Sequence, residues 1–346
     1  MSAPIRRLLF LLFFVSGFCG LVYQVVWTRL AFASFGIITP VLSIVISTFM
    51  AGLSIGAWAA GKWIEKWARR TGLSAIFFYS CTEVGIGVGA FAVPDLFATG
   101  ERLLLNLGQS NSVGYLLGSA LILAISLLPW CLFMGATLPL MMAYVREKEP
   151  ENQGGFSFLY LANVLGAMTG TILAALVLVE CLGFRRTLWV AAAGNFSIAV
   201  IGALLGWRPQ NFPTEPSSPK AVDVASTAGK PRGNFAWILF CTGFSAMAME
   251  VVWTRLFTPV LKTQVYSFAL VVFTYLGATS VGSWWYRRHL RRDAVWSNAS
   301  LIAFLAAAAL LPLAAVDSRI VKMEWAGDGC RAGNSVTKCS QLRSEN

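Results

Sequence analysis

The stretch that decides the fold is a hexapeptide that occurs twice: VVWTRL stands at Val25–Leu30 and again at Val251–Leu256. The match extends around both copies without a gap, at a constant offset of 226 positions. Each copy closes a long apolar stretch, so the repeat predicts duplicated membrane helices rather than duplicated soluble modules. The other recurring positions are Phe14, Gly17, Phe18, Thr48 and Trp58, which return as Phe240, Gly243, Phe244, Thr274 and Trp284.

Composition sets the broad class of the protein. Of the 346 residues, 57% are hydrophobic and 12% are charged, whereas about 25% of residues are charged in soluble domains. This excess of apolar residues predicts a polytopic membrane protein whose first partner is the lipid bilayer. The net charge of +11 comes from basic residues between apolar stretches. They fit topology signals and anionic lipid headgroups, and we expect no nucleic acid partner.

Apolar stretches of about 20 residues predict nine membrane spans. The fourth is too long for one straight crossing, and Pro129 and Pro139 are expected to kink it. Two short helices in its place would scatter the basic loops over both membrane faces, whereas one helix puts them on a single side. By the positive-inside rule that side is cytoplasmic, together with the N-terminus. The spans lie near 8–28, 37–61, 73–94, 114–145, 155–180, 186–206, 235–257, 264–286 and 296–316.

These spans divide the chain into four parts. Residues 1–206 form a six-helix transmembrane domain, and 207–234 form a proline-rich cytoplasmic linker that we expect to be disordered. Residues 235–316 are a three-helix partial repeat, and 317–346 are a polar tail that is also expected to be disordered. The pattern is that of a chain whose second half is incomplete. Truncation and a shifted reading frame both account for it.

Three groups of residues, in sequence order, point to a family. They are SGFCGLVYQVVWTRL at 16–30, MGATLPL at 134–140, and YLANVLGAMTG at 160–170 with LVLVECLGFRRTL at 176–188. Over residues 8–290 the chain resembles the membrane-embedded spermidine-synthase-like proteins, also described as fused major facilitator/spermidine synthase proteins. The segment at 52–70 also resembles the glycine-and-basic loop of major facilitator transporters. The resemblance implies an all-α, polytopic transmembrane helix bundle: a major facilitator half followed by the first three helices of a second, repeated half.

The enzymatic part of that resemblance does not extend to this sequence. Longer members of the family carry a soluble aminopropyltransferase-like domain after the membrane region. Beyond residue 316 this sequence has neither a Gly-x-Gly loop between a strand and a helix nor a paired acidic motif. The first copy of the repeat also has Gln24 where the second has Glu250, and the family usually shows a carboxylate there.

Polar residues inside the predicted spans are the candidate site. They are Gln24, Glu83, Asn163 and Glu250, with Asn195 in the sixth span. Burying an ionisable group in lipid costs about 2.5–3.5 kcal/mol on insertion scales, so such groups usually face a cavity or a partner. One interpretation is a polar pathway that attracts a polyamine or another small cation, with Glu250 carrying most of the charge and Glu83 assisting. The alternative is that these residues hold helices together by hydrogen bonds.

Two arginines close the duplicated helices and are candidate pairing residues. Arg29 and Arg255 each lie five residues beyond Gln24 or Glu250, a spacing that does not favour contact within one helix. Pairing between the two copies is one interpretation. The other places both arginines at the outer headgroups, with Trp27 or Trp253 in the aromatic belt.

The residues required for catalysis or for metal binding are missing from the sequence pattern. The single histidine, His289, lies within a run of arginines, with no second histidine and no carboxylate or cysteine cluster beside it. Metal sites need three or four such ligands. We therefore expect no catalytic residue, no metal and no cofactor.

Two hypotheses of function follow. The first is a transporter-like integral membrane domain of the spermidine-synthase-like family that binds or moves a polyamine or similar cation. The second is a membrane anchor or scaffold for a separate spermidine synthase-like domain. For both, the predicted location is the bacterial inner membrane.

The missing nucleoside-binding loop and acidic pair lead to a prediction about activity. We expect the purified chain to have no aminopropyltransferase activity, because it lacks the residues that would hold the two substrates. A chromatographic assay for aminopropylated putrescine measures this. Product formation by contaminant-free protein would contradict the interpretation.

Overall fold

The computed structural model describes residues 3–106, 112–148, 155–206, 233–261 and 263–290, and the isolated positions 300, 303, 304 and 307. Within these ranges the chain is helical apart from short turns, and no strand occurs there. The predicted tail, nearly all of the predicted linker, and most of the ninth predicted span lie outside the described residues.

The described ranges form eight α-helices, and each covers a predicted span. Five stretches are long and apolar enough to cross a membrane, the last of them running from Phe158 to Gly206. The prediction of an all-α polytopic bundle is therefore confirmed. The helices are α1 (Ala3–Phe35), α2 (Thr39–Thr71), α3 (Ala75–Asn106), α4 (Ser112–Lys148), α5 (Gly155–Leu173), α6 (Val179–Gly206), α7 (Gly233–Leu261) and α8 (Gln264–Leu290), with a π-helical turn at Ala174–Leu178.

The long fourth span is a single helix. α4 runs through both Pro129 and Pro139, and its last turn carries Arg146 and Lys148. Basic side chains at a helix C-terminus interact favourably with the partial negative charge there. The expectation of one crossing rather than two short helices is confirmed.

The fifth and sixth spans are separated at Gly183, inside α6. Its backbone has φ 73° and ψ 173°, a conformation that glycine adopts freely because it has no β-carbon. The break falls between the two predicted spans at 155–180 and 186–206. The chain thus reverses without a separate loop.

Contacts group the chain into two compact units, residues 1–282 and 283–346. All packing between helices described below belongs to the first unit. In the second, the Arg288 guanidinium lies 5.6 Å from the centre of the Trp284 ring.

α1 is the central helix of the first unit and packs chiefly against α5 and α6. The contact with α5 is made backbone to backbone. Gly166 and Gly170 lie against the main chain of Phe14 and Phe18, and Gly17 lies against the main chain of Asn163, so closely that a β-carbon would not fit at any of the three glycines. Helices in lipid associate through such close van der Waals packing of small residues. The small-residue spacing in α5 is therefore a packing device.

The internal repeat is visible in local structure. In α1 the Thr28 hydroxyl donates to the Gln24 carbonyl at 2.6 Å, and in α7 the Thr254 hydroxyl donates to the Glu250 carbonyl at 2.8 Å. Gln24 and Glu250 are equally buried, each 5% exposed. Both copies of VVWTRL therefore lie in helices, and the residue that precedes each copy is equally buried.

The contact at Gly17, which its repeat equivalent Gly243 does not make with any described atom, leads to a prediction about stability. We expect Gly17→Val to lower the thermal midpoint of the detergent-solubilised protein, because the new side chain would push α5 away from α1. Overpacking of this kind costs about 1–3 kcal/mol.

Gly243→Val at the equivalent position is the matched control. No described atom lies within 4 Å of a β-carbon placed at Gly243, so this variant should unfold like the parent chain in a fluorescence-detected gel-filtration assay. Equal losses in the two variants would show that Gly17 does not set the spacing of α1 and α5.

Candidate functional site

A buried hydrogen-bond network joins α1, α3 and α6. Glu83 of α3 is fully buried. Its carboxylate accepts a hydrogen bond from the Ser16 hydroxyl at 2.7 Å and one from the Asn195 side-chain amide at 2.5 Å. The Tyr23 hydroxyl donates to the other end of the Asn195 amide at 2.9 Å. The network therefore ties one carboxylate to the two helices on either side of it.

The positions of these residues follow from helix geometry. Ser16 and Tyr23 are seven residues apart in α1, which is about two turns, so both point to the same side of the helix. Between them, Cys19 is also buried. This side of α1 faces α3 and α6, and it brings both hydroxyl groups to the network.

Glu83 has no basic partner in the described part of the chain: the one ion pair found there joins Arg29 and Glu180. When this carboxyl group is ionised, hydrogen bonds alone therefore stabilise its charge. A buried charge without a counter-ion is costly even when it is hydrogen-bonded. The position is consequently one where a positively charged ligand would be favourable.

A cavity of about 130 Å³ lies next to the network. Since a water molecule occupies about 30 Å³ in the liquid, the space holds roughly four waters. Its polar wall consists of Ser16, Gln24, Thr137 and Asn163, and Phe49 and Met134 are among its apolar residues. Ser16 therefore faces the cavity and donates to Glu83 at the same time.

One polar group in this wall is unsatisfied. The side-chain nitrogen of Gln24 is buried and makes no hydrogen bond to any described atom. Leaving a buried donor or acceptor unpaired costs about 1–3 kcal/mol. The Thr137 hydroxyl, in contrast, donates to the Met134 carbonyl at 2.7 Å. The Gln24 side-chain nitrogen is a donor, so what it lacks in the described part of the chain is an acceptor.

The structure brings three of the four predicted site residues together. Gln24 and Asn163 share the cavity wall, and Glu83 lies behind it through its hydrogen bond from Ser16. Glu250 is not part of this wall. It is buried in α7, where its Oε1 oxygen has no hydrogen-bond partner among the described residues.

Two members of the network were not anticipated as site residues. Ser16 and Tyr23 carry hydroxyl groups, which are common in membrane helices and often donate to their own backbone. Nothing in their spacing distinguishes them from such residues. Only the packing of α3 and α6 against α1 shows which hydroxyl groups meet Glu83.

Arg29 lies at the other end of α1 in a cluster of its own. Its Nη1 is 3.9 Å from Glu180 Oε1, and its guanidinium carbon is 5.7 Å from the ring centres of both Phe184 and Tyr266. The Tyr266 hydroxyl donates to the same Glu180 oxygen at 2.8 Å. The cluster thus joins α1 and α6 to α8 of the repeat.

Among the described residues, the contacts of Arg29 do not include Glu250 of the other copy. Arg29 pairs with Glu180 rather than with Glu250, and Arg255 of the second copy is exposed. Trp27 is fully buried and stacks on Tyr23 with ring centres 5.0 Å apart. The packing of α1 against its neighbours encloses it, and the placement of Trp27 or Trp253 in an aromatic belt stays a prediction.

A second, larger cavity of about 550 Å³ lies between the C-terminal halves of α2 and α4. Its charged lining residues include Glu65, Arg69, Arg146 and Glu147. Glu147 also accepts hydrogen bonds from the Ser74 hydroxyl at 2.6 Å and from the Ala75 amide at 2.9 Å. It thereby satisfies an unpaired backbone donor at the start of α3.

The long apolar helices are those of an integral membrane protein, and the family match below assigns it to the transporter-like class. A comparison with family models matches the Major Facilitator Superfamily over residues 8–323. The chain belongs to this superfamily. Neither the curated proteins nor the solved structures contain a match.

The arginine cluster leads to a prediction about stability. We expect Arg29→Gln to destabilise the protein by about 1–2 kcal/mol, because it removes two guanidinium–ring contacts, each worth about 0.5–1 kcal/mol. The loss of the ion pair adds little, since Glu180 is half exposed.

Arg255→Gln is the matched control, because it makes the same chemical change at the exposed copy of this position. Thermal midpoints of the two purified variants in one detergent give the comparison. A midpoint for Arg29→Gln that equals that of Arg255→Gln would show that the cluster contributes no stability.

Proposed function

We propose that this transporter-like domain binds a small organic cation, the ammonium end of a polyamine, in the cavity beside Ser16 and Gln24. The observation that carries the proposal is the position of Glu83, a buried carboxylate with no basic partner among the described residues. A single hydrogen bond connects it to Ser16, which lines the cavity. A cation in that cavity would supply the missing counter-charge.

The wall of the cavity suits an ammonium group. Such a group has three donors and no acceptor, and the side-chain amides of Gln24 and Asn163 each offer an oxygen. The Phe49 ring, which also lines the cavity, can contribute a cation–π contact. With room for about four waters, the cavity fits an ammonium group and the first part of an alkyl chain.

Electrostatics favours this occupant over a neutral one. At an effective dielectric constant of about 20, two unit charges about 5 Å apart attract by roughly 3 kcal/mol. Before the cost of desolvating the ammonium group is subtracted, that attraction corresponds to a factor of about a hundred in affinity. A neutral molecule of the same size gains nothing from Glu83.

The choice of a polyamine, and the orientation of the domain, rest on the sequence. The motifs at 16–30, 134–140 and 160–188 resemble the spermidine-synthase-like family, and linear amines are the substrates that this resemblance implies. The basic residues of the loops support a cytoplasmic N-terminus in a bacterial inner membrane. The α1 residues that line the cavity, from Ser16 to Gln24, lie in the middle part of that helix.

The second candidate function is a membrane anchor for a separate spermidine synthase-like domain. The same motif resemblance favours it, since in longer family members a soluble enzyme follows the membrane region. An anchor requires no ligand in the cavity. The two functions therefore differ in one measurable property, which is cation binding by the chain alone.

Glu83→Gln tests the proposal. We expect purified Glu83→Gln protein to bind putrescine or spermidine at least tenfold more weakly than the parent chain, because the charge behind the cavity is gone. Equilibrium binding of the labelled amine measures this, with a neutral diol of similar length as the control ligand. Gel filtration verifies that the variant is folded.

Glu250→Gln is the matched control variant. It neutralises the other buried carboxylate, which lies outside the cavity wall, and makes the two repeat copies alike. We expect a change in affinity of less than about threefold. A large loss of amine affinity in Glu250→Gln with none in Glu83→Gln would contradict the proposal and would indicate that Glu250 is the carboxylate that attracts the amine. Absence of amine binding in the parent chain would favour the anchor.

A further inference from the structure

Two hydroxyl groups in the wall of the smaller cavity donate their hydrogen atoms away from it. The Ser16 hydroxyl donates to the Glu83 carboxylate at 2.7 Å, and the Thr137 hydroxyl donates to the Met134 carbonyl at 2.7 Å. A hydroxyl group has one hydrogen and two acceptor lone pairs. Ser16 and Thr137, which we call the wall hydroxyls, therefore offer an occupant of the cavity an acceptor and no donor.

Of the two wall hydroxyls, Ser16 is the stronger acceptor. A hydroxyl group that donates to an ionised carboxylate is polarised by it, so its oxygen accepts a further hydrogen bond more strongly. An N–H group that donates to Ser16 Oγ would extend a chain of hydrogen bonds that ends at Glu83. The charge of the buried carboxylate therefore acts on the cavity most effectively through an occupant that can donate.

The side-chain amide of Gln24 is compatible with the same occupant. Its nitrogen has no acceptor among the described residues, and a half-turn of the amide plane puts the oxygen in the place of the nitrogen. The wall hydroxyls have no equivalent freedom, because turning either hydrogen towards the cavity would break its bond to Glu83 or to Met134. The fixed part of the wall thus selects a donor.

A quaternary ammonium group has the same charge as a primary one but no N–H group. A site that used only the charge of Glu83 and the ring of Phe49 would accept it, since aromatic rings commonly hold quaternary ammonium ligands. In this cavity it would displace water from the wall hydroxyls without replacing the lost hydrogen bonds. Sites built to bond an N–H or O–H group discriminate against analogues that lack it.

We propose that the cavity selects primary ammonium groups over quaternary ammonium groups, and that Ser16 and Thr137 are the residues that determine this specificity. The selectivity rests on the proposed function, because it concerns the same cavity and the same class of ligand. It adds a requirement for N–H donors: an amine whose ammonium end is fully methylated binds more weakly, although its charge is unchanged.

The test compares two cations of nearly equal size and shape, tert-butylammonium and tetramethylammonium. Each places four groups around a central atom and carries one positive charge. Three of the groups are methyl in both cations, and the fourth is NH₃⁺ in the first and methyl in the second. Equilibrium binding to the purified full chain measures both affinities. We expect tert-butylammonium to bind at least about tenfold more tightly, as the loss of a charge-assisted hydrogen bond implies.

Ser16→Ala and Thr137→Val each remove one wall hydroxyl. We expect Ser16→Ala to reduce the preference for tert-butylammonium to less than about threefold, and Thr137→Val to lower it by about threefold. The ratio of the two affinities is the informative quantity, because a general loosening of the helices would affect two cations of the same size alike. Gel filtration verifies folding.

Ser119→Ala is the matched control for Ser16→Ala. Ser119 is also buried, and its hydroxyl donates to the Tyr115 carbonyl at 2.8 Å, but it is not part of the cavity wall. This variant should keep the affinity ratio of the parent chain. Should Ser16→Ala fail to fold, Thr137→Val decides, since valine has nearly the shape of threonine.

The outcomes separate the selectivity from the proposed function. Equal binding of the two cations by the parent chain, with Glu83→Gln weakening both, would leave the proposed function standing and overturn the selectivity. A preference that survives removal of the wall hydroxyls would also overturn it, because Ser16 and Thr137 would not be its source. Binding of neither cation by the parent chain would overturn the proposed function and the selectivity together.

Discussion

The contact between α1 and α5 is the constraint on which the rest of the structure depends. Two glycines of α5 lie against the main chain of Phe14 and Phe18, and this closeness fixes both the distance and the rotation of the two helices. Because water does not drive helices together inside a bilayer, such packing has to supply the association. The same contact sets Asn163 opposite Ser16 and Gln24, and so forms the wall of the cavity.

The second constraint is the need to satisfy polar groups in an apolar surrounding. Glu83 is stabilised by donors from α1 and α6, so those helices cannot rotate away from α3 without exposing a carboxylate to lipid. At the other end of α1, Arg29 is held between two aromatic rings and near Glu180. The polar contacts at Ser16 and at Arg29 thus determine how α1 is oriented. The apolar packing between these two positions determines how closely the neighbouring helices approach α1.

The two halves of the internal repeat show what packing adds to sequence. Gln24 and Glu250 stand at equivalent positions and are equally buried, yet the first lines a cavity and the second does not. Likewise Arg29 is enclosed while Arg255 is exposed. Identical hexapeptides have different surroundings because the first copy is covered by α3, α5 and α6, and the described part of the repeat has no equivalent of α5 on α7.

The sequence by itself determined the helical class, the membrane location, the single long fourth helix and the break near Gly183, because hydrophobic length, prolines and glycines act locally. It also predicted a polar site at Gln24, Glu83, Asn163 and Glu250, since polar groups in spans are costly, and the role of that site stays a prediction. Only the tertiary structure decided that Ser16 links Glu83 to the cavity, that Arg29 meets Glu180, and that Trp27 is buried. Those facts depend on which helices are neighbours, and residues far apart in the chain carry no local signal of that.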